Sequence, residues 1–173
     1  MFKKIETDRL LLENISKEDN EFILSQFSDH DVNKYLYDAE PMIDITEANE
    51  LIDFYMQPEP RGQHRWILVR KSEGIKMGTC GFHCLDMLHK KIDIGYDLKK
   101  EFWGNGYMQE AVKASINFII LNFDIHRIDA HIYCENERSI ILAKKLDFSF
   151  YGESEICVFR GLEYLHHIYT RYI

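Results

Sequence analysis

No stretch of this 173-residue chain approaches the roughly 18 consecutive apolar residues of a membrane-spanning helix; near the start the apolar run stops at Leu10 to Leu12. A soluble protein without a membrane partner is expected. Positive charge is scarce too: Lys and Arg total 21 against 29 Asp and Glu, a formal net charge of -8. That balance lacks the positive field on which phosphate backbones depend, so nucleic acid is not expected as a partner. Four cysteines allow two disulfides, but a chain long enough to bury a core does not need such staples. With no secretory start visible, Cys80, Cys84, Cys134 and Cys157 are expected to be reduced thiols in a cytoplasmic protein. Internal repeats, low-complexity tracts and linkers are also missing, so residues 1–173 are expected to form a single domain.

What is present is a change of period along the chain. "RLLLENI" reads as a strand, and Ser16 with Asp19 resembles a capping box that opens a helix through "KEDNEFILSQF". After the turn-rich "SDHDVNKYL", Thr46 is expected to cap a helix over "EANELIDFYM", ended by Pro58 and Pro60. Three strands follow, "HRWILVRK", "IKMGTCGFHCL" and "KKIDIGYDL". From Tyr107, apolar residues recur every three and four positions, predicting a helix that ends near Asn122. "HRIDAHIYC" alternates as a half-buried strand, Asn136 is placed to cap the helix "ERSIILAKKL", and "FSFYGESEICVF" and "YLHHIYTRY" make a hairpin around "RGLE". The sum is an α+β domain with about seven strands.

The stretch "EFWGNGYMQEA" places Gly104 and Gly106 where strand gives way to helix. Backbone N–H groups at the start of a helix make an anion site, and glycine lets a ligand come close. The absence of Gly-Lys-Ser/Thr excludes a P-loop, and Gln109 stands where a dinucleotide fingerprint wants its third glycine.

The segment "IGYDLKKEFWGNGYMQEA", with "ETDRLLLENISKED" before it and "HRIDAHIYCENERS" and "KKLDFSFYGE" after it, resembles the GNAT superfamily of acyl-CoA-dependent N-acetyltransferases, and especially its RimJ/RimL-like branch. The resemblance implies a central mixed, mostly antiparallel sheet flanked by helices, with splayed fourth and fifth strands. It implies acetyl-CoA as cosubstrate, its pyrophosphate held by the loop Trp103, Gly104, Asn105, Gly106, Tyr107 and Met108. Met108 departs from the small residue usual there, so its side chain must turn away and leave only its N–H. The pantetheine arm is expected to pair with the main chain of Tyr96, Asp97 and Leu98 and to be reached by Asn136.

The same resemblance implies direct attack of a primary amine on the thioester in a ternary complex. The acceptor is a protein N-terminus or a small amine such as a polyamine, an amino acid or an aminoglycoside. The tyrosine that many of these enzymes use as acid is Ala143 here; the RimJ/RimL-like pattern instead has a serine three residues after the asparagine, so the resemblance implies Ser139 as proton donor or CoA contact. That substitution also leaves open a CoA-binding sensor with weak catalysis. By the same resemblance the candidate bases are Asp93, where this branch often has Glu, and His131, where some N-terminal acetyltransferases place a glutamate; the alternative is no single-residue base at all. An imidazole titrating near 6.5 suits a proton relay. A zinc site among Cys80, His83, Cys84 and His89 is not expected, because strict alternation turns His83 away from the cysteines, and no metal is expected at all. The acidic residues Asp38, Glu40, Asp44, Glu47, Glu50 and Asp53 either favour a cationic acceptor or form a solvated face. A monomer or a homodimer is expected.

Overall fold

The computed structural model describes residues 2–36 and 40–173. Strands β1 (Ile5–Glu6) and β2 (Leu10–Asn14) precede helices α1 (Asn20–Phe27), α2 (His30–Asn33) and α3 (Ile45–Tyr55). Then come β3 (His64–Arg70), β4 (Ile75–Asp86), β5 (Lys91–Leu98), α4 (Tyr107–Asn122), β6 (Arg127–Tyr133), α5 (Glu137–Lys145), β7 (Ser149–Phe159) and β8 (Leu162–Tyr172). All strands join one sheet in the order β1-β2-β3-β4-β5-β6-β8-β7. Every pairing is antiparallel except that of β5 with β6. The sheet has eight strands rather than about seven; the addition, β1, is two residues long and too short to show a period.

Alternate residues of β3 feed two cores. Trp66 and Leu68 join the cluster beneath α4 and α5, while Ile67 and Val69 join Ile15, Ile23, Ala48 and Ile52 beneath α1 and α3. Helices therefore cover both faces of the sheet, which is why this strand reads as one unbroken apolar run. In α4 the buried face is Met108, Ala111, Val112, Ser115, Ile116 and Ile119, the stripe its period predicts. The N-cap of α3 is Asp44 rather than Thr46: the Asp44 carboxylate accepts from the Thr46 and Glu47 N–H groups, and Glu47 reaches back to complete a capping box. All four cysteines are free. Cys80 is buried against the Ser115 hydroxyl, 3.3 Å away, and burial pushes its thiol up to about 12.

His64 carries a stability prediction. Its ring stacks on Phe2 with centroids 4.4 Å apart, and its nitrogens lie 3.1 Å from Asn14 Oδ1 and 2.9 Å from Arg61 Nη2. A neutral ring protonated at Nε2 satisfies both neighbours, donating to Asn14 and accepting from Arg61. Burial, then the Arg61 charge, lowers its pKa from 6.5 to about 3. The unfolded chain thus binds a proton that the folded chain refuses. Its contribution is complete above pH 6.5 and is lost as pH falls, by roughly 2–3 kcal/mol at pH 4.5. Urea unfolding at the two pH values is expected to show this loss, and His64→Phe to flatten it; parallel pH slopes in the two proteins would refute the assignment.

Candidate active site

The site begins where the sheet comes apart. β5 pairs with β6 only over Lys91–Asp93 against Arg127–Asp129. Beyond that point Ile94–Leu98 pairs only with β4, and Ala130–Tyr133 only with β8. These are the splayed strands expected, and the inner edge of each carries main-chain groups without a strand partner. A cavity of about 590 Å³ opens at the wedge, lined on these strands by Asp93, Gly95, Tyr96, Asp97, His131 and Tyr133.

Past the end of β5, outside the lining of this cavity, lies the loop that opens α4. Gly104 and Gly106 have φ of 79° and 77°, left-handed values that a β-carbon disfavours. Gly106 is the N-cap, and the first helical N–H groups after it, from Tyr107, Met108 and Gln109, have no intrahelical acceptor. The Met108 side chain is 8 % exposed and packs in the core, so it does turn away as its position requires. Trp103 Nε1 donates to the Leu98 carbonyl at 2.7 Å, and Asn105 Nδ2 donates to the Phe102 and Trp103 carbonyls. The loop is thereby tied to the end of β5. Two cations flank it: Arg138 lies 4.1 Å over the Trp103 ring, and Arg9 lies 4.6 Å over Tyr107 while donating to the Asn105 carbonyl at 2.9 Å. Neither arginine carried a signal in its own stretch of sequence, since Arg9 is nearly a hundred residues from the loop.

In the cavity itself the structure brings Asp93 and His131 together. His131 Nε2 lies 3.7 Å from Asp93 Oδ2, and its Nδ1 lies 2.5 Å from Glu155 Oε1 on β7. Burial raises the Asp93 pKa, against an opposing pull from His131. Glu155 was not anticipated, because it reaches His131 only through the hairpin's placement beside β6. Asn136 caps α5 by accepting from the Ser139 N–H at 3.2 Å, and the Tyr96 hydroxyl donates to the Ser139 carbonyl at 3.5 Å. Burial pushes the Tyr96 phenol up, so it stays protonated. Ala143 is buried in the core and offers no group to the cavity.

Asp97 contributes its main chain to the wedge, but its side chain turns inward. It pairs with Arg65 Nη1 at 2.9 Å and accepts from Gln26 Nε2 at 2.7 Å and from the Thr79 hydroxyl. Of the acidic run, Glu40 lines the cavity and pairs with Arg160; Asp44 and Glu47 are spent on the α3 cap, and Asp53 pairs with Lys17. Asp38 lies outside the described residues.

The expectation that His83 and Cys84 face apart is corrected. Between the pairs His83↔Asp93 and Asp86↔Lys91 the register slips, leaving Cys84 and Leu85 opposite Ile92 alone. At this bulge Cys84 takes φ of 52°, which breaks the alternation. The ligating atoms of His83, Cys84 and Asp93 all lie within 4.8 Å of one another. Cys80 and His89 are elsewhere, the first buried and the second paired with Asp86.

The acetyltransferase (GNAT) domain model matches residues 9–149. The uncharacterized N-acetyltransferase YoaA of Bacillus subtilis (strain 168) is 35 % identical over 150 residues, 86 % of this chain and 84 % of YoaA. Two solved structures share the fold. RimL, a ribosomal L7/L12 alpha-N-protein acetyltransferase in complex with coenzyme A, matches with TM-score 0.83 and 18 % identity over 99 % of this chain and 98 % of its own. Spermidine N-acetyltransferase from Vibrio cholerae, in complex with CoA and spermine, matches with TM-score 0.83 and 16 % identity over 96 % of each chain. The wedge, the glycine turn and the sequence match agree: the chain belongs to the GNAT acetyltransferase family, the acyl-CoA-dependent N-acetyltransferases.

Proposed function

We propose that residues 1–173 act as a single cytoplasmic domain, related to the RimJ/RimL branch, that acetylates a primary amine by direct attack on acetyl-CoA in a ternary complex. The observation that carries this reading is the wedge between β5 and β6 with the α4 N-terminus past the end of β5. Main-chain N–H groups of the loop from Trp103 to Met108 receive the pyrophosphate, and the free edge at Tyr96, Asp97 and Leu98 pairs with the pantetheine arm. Asn136 and Ser139 border the same cavity. The amine enters beside Asp93 and His131, which take up the proton it must lose. Its nitrogen forms the new bond to the acetyl carbon, the carbon–sulfur bond breaks, and the departing thiolate takes a proton from the Ser139 hydroxyl or from solvent.

A protein N-terminus is the first acceptor reading, with RimL as precedent. A small polyamine-like cation is the second, favoured by the carboxylates of Glu40, Asp93 and Glu155 along the cavity and by the spermine-bound neighbour. Calorimetry with CoA tests the donor half; no binding at micromolar concentrations would end this reading. Thiol release with a panel of N-terminal peptides and polyamines tests the acceptor half, and binding without turnover across the panel would identify a CoA sensor instead. Ser139→Ala is expected to lower turnover while leaving CoA affinity in place, and unchanged kinetics would remove Ser139 as proton donor.

A further inference from the structure

We propose that His83, Cys84 and Asp93 form a binding site for a divalent transition-metal ion, Zn²⁺ being the best match, at the edge of the acceptor cavity. The donors are an imidazole nitrogen, a thiol sulfur and a carboxylate oxygen, all within 4.8 Å of one another. Tetrahedral zinc with bonds of about 2.0–2.3 Å would draw such atoms to roughly 3.5 Å apart, a contraction that side-chain rotation supplies. Three protein ligands leave a fourth position open to water or solute.

Two features of the backbone build the cluster. His83 and Asp93 are direct cross-strand partners, and the His83 imidazole lies over Gly95. Cys84 is brought round by the bulge at a left-handed φ of 52°, a conformation that costs a non-glycine residue and concentrates at functional sites. Cys84 would bind as the thiolate, the form that a neighbouring cation favours. On binding, the thiol proton leaves to solvent as the sulfur–metal bond forms. The ion would occupy Asp93 and so compete with proton uptake from the acceptor. That consequence rests on the acetyltransferase reading; metal binding itself does not.

Titration of the full chain with Co²⁺ tests the site without any turnover. One ion per chain is expected, with a thiolate-to-cobalt charge-transfer absorption and release of a proton. Cys84→Ser, at an exposed position, is expected to abolish the absorption, and His83→Gln and Asp93→Asn to weaken binding at least roughly tenfold. Zn²⁺ is expected to displace Co²⁺ and to inhibit acetyl transfer in the unsubstituted protein but not in Cys84→Ser. No charge-transfer band at micromolar Co²⁺ overturns the proposal. So does a band that survives Cys84→Ser, because it would then belong to Cys134 or Cys157.

Discussion

Asp97→Ala is expected to cost about 3–5 kcal/mol of unfolding free energy, the loss typical of breaking a buried ion pair from one side. The Asp97 and Arg65 side chains are 6 % and 13 % exposed, and the guanidinium would be left among Tyr55, Phe27 and Thr79 without a counter-charge. A domain of this size holds only about 5–15 kcal/mol in all, so the variant should melt roughly 10 °C lower. The cause is separable from mere loss of packing. If the stranded charge is responsible, adding Arg65→Met to Asp97→Leu should recover most of the loss, whereas lost packing would make the double variant worse than either single one. Thermal and urea unfolding of the unsubstituted protein, Asp97→Leu, Arg65→Met and the double variant decides between them. A single-variant cost under about 1 kcal/mol would show that the pair is worth no more than a surface bridge.

The second large effect belongs to catalysis. If His131 is the base proposed above, His131→Ala is expected to lower kcat by about 10² to 10⁴, the usual contribution of a positioned base, while leaving CoA affinity intact because the proposed pyrophosphate loop is separate from the cavity that His131 lines. The size of the loss should depend on the acceptor. At pH 7.5 only about one alkyl amine in a thousand is neutral, against about one α-amino group in three. On the proposed mechanism a polyamine acceptor would therefore need the Asp93–His131 pair far more than a peptide N-terminus would. Single-turnover rates with both acceptor types measure this difference directly. Equal losses for the two would mean that His131 positions the acceptor rather than deprotonating it.

Much of this architecture is legible in the sequence because long elements repeat their burial pattern. The α4 stripe declares itself, whereas the wedge is expected only through the resemblance carried by "IGYDLKKEFWGNGYMQEA". Other features were present but outranked: Asp44 stands three residues before Glu47, the spacing of a capping box, yet Thr46 looked like the cap. The His83–Cys84 arrangement could not be read by alternation, since one bulge reverses the face of every residue after it. Glu155 and Arg9 reach the site across long sequence separations, and nothing in their local surroundings marks them. Such partners are set by topology alone.

The brief pairing of β5 with β6 also has a mechanical meaning. Strands β1 to β5 form one leaf and β6, β8 and β7 another, and among the described residues the only sheet pairing between the leaves is the short seam at Lys91–Asp93. Any fluctuation that parts the leaves breaks the fewest hydrogen bonds there. A molecule lying in the wedge and bonded to both inner edges would act as a staple across this hinge. Its binding energy would add to the cohesion of the two leaves, so that saturating CoA should raise the melting temperature and slow amide exchange on both strands together.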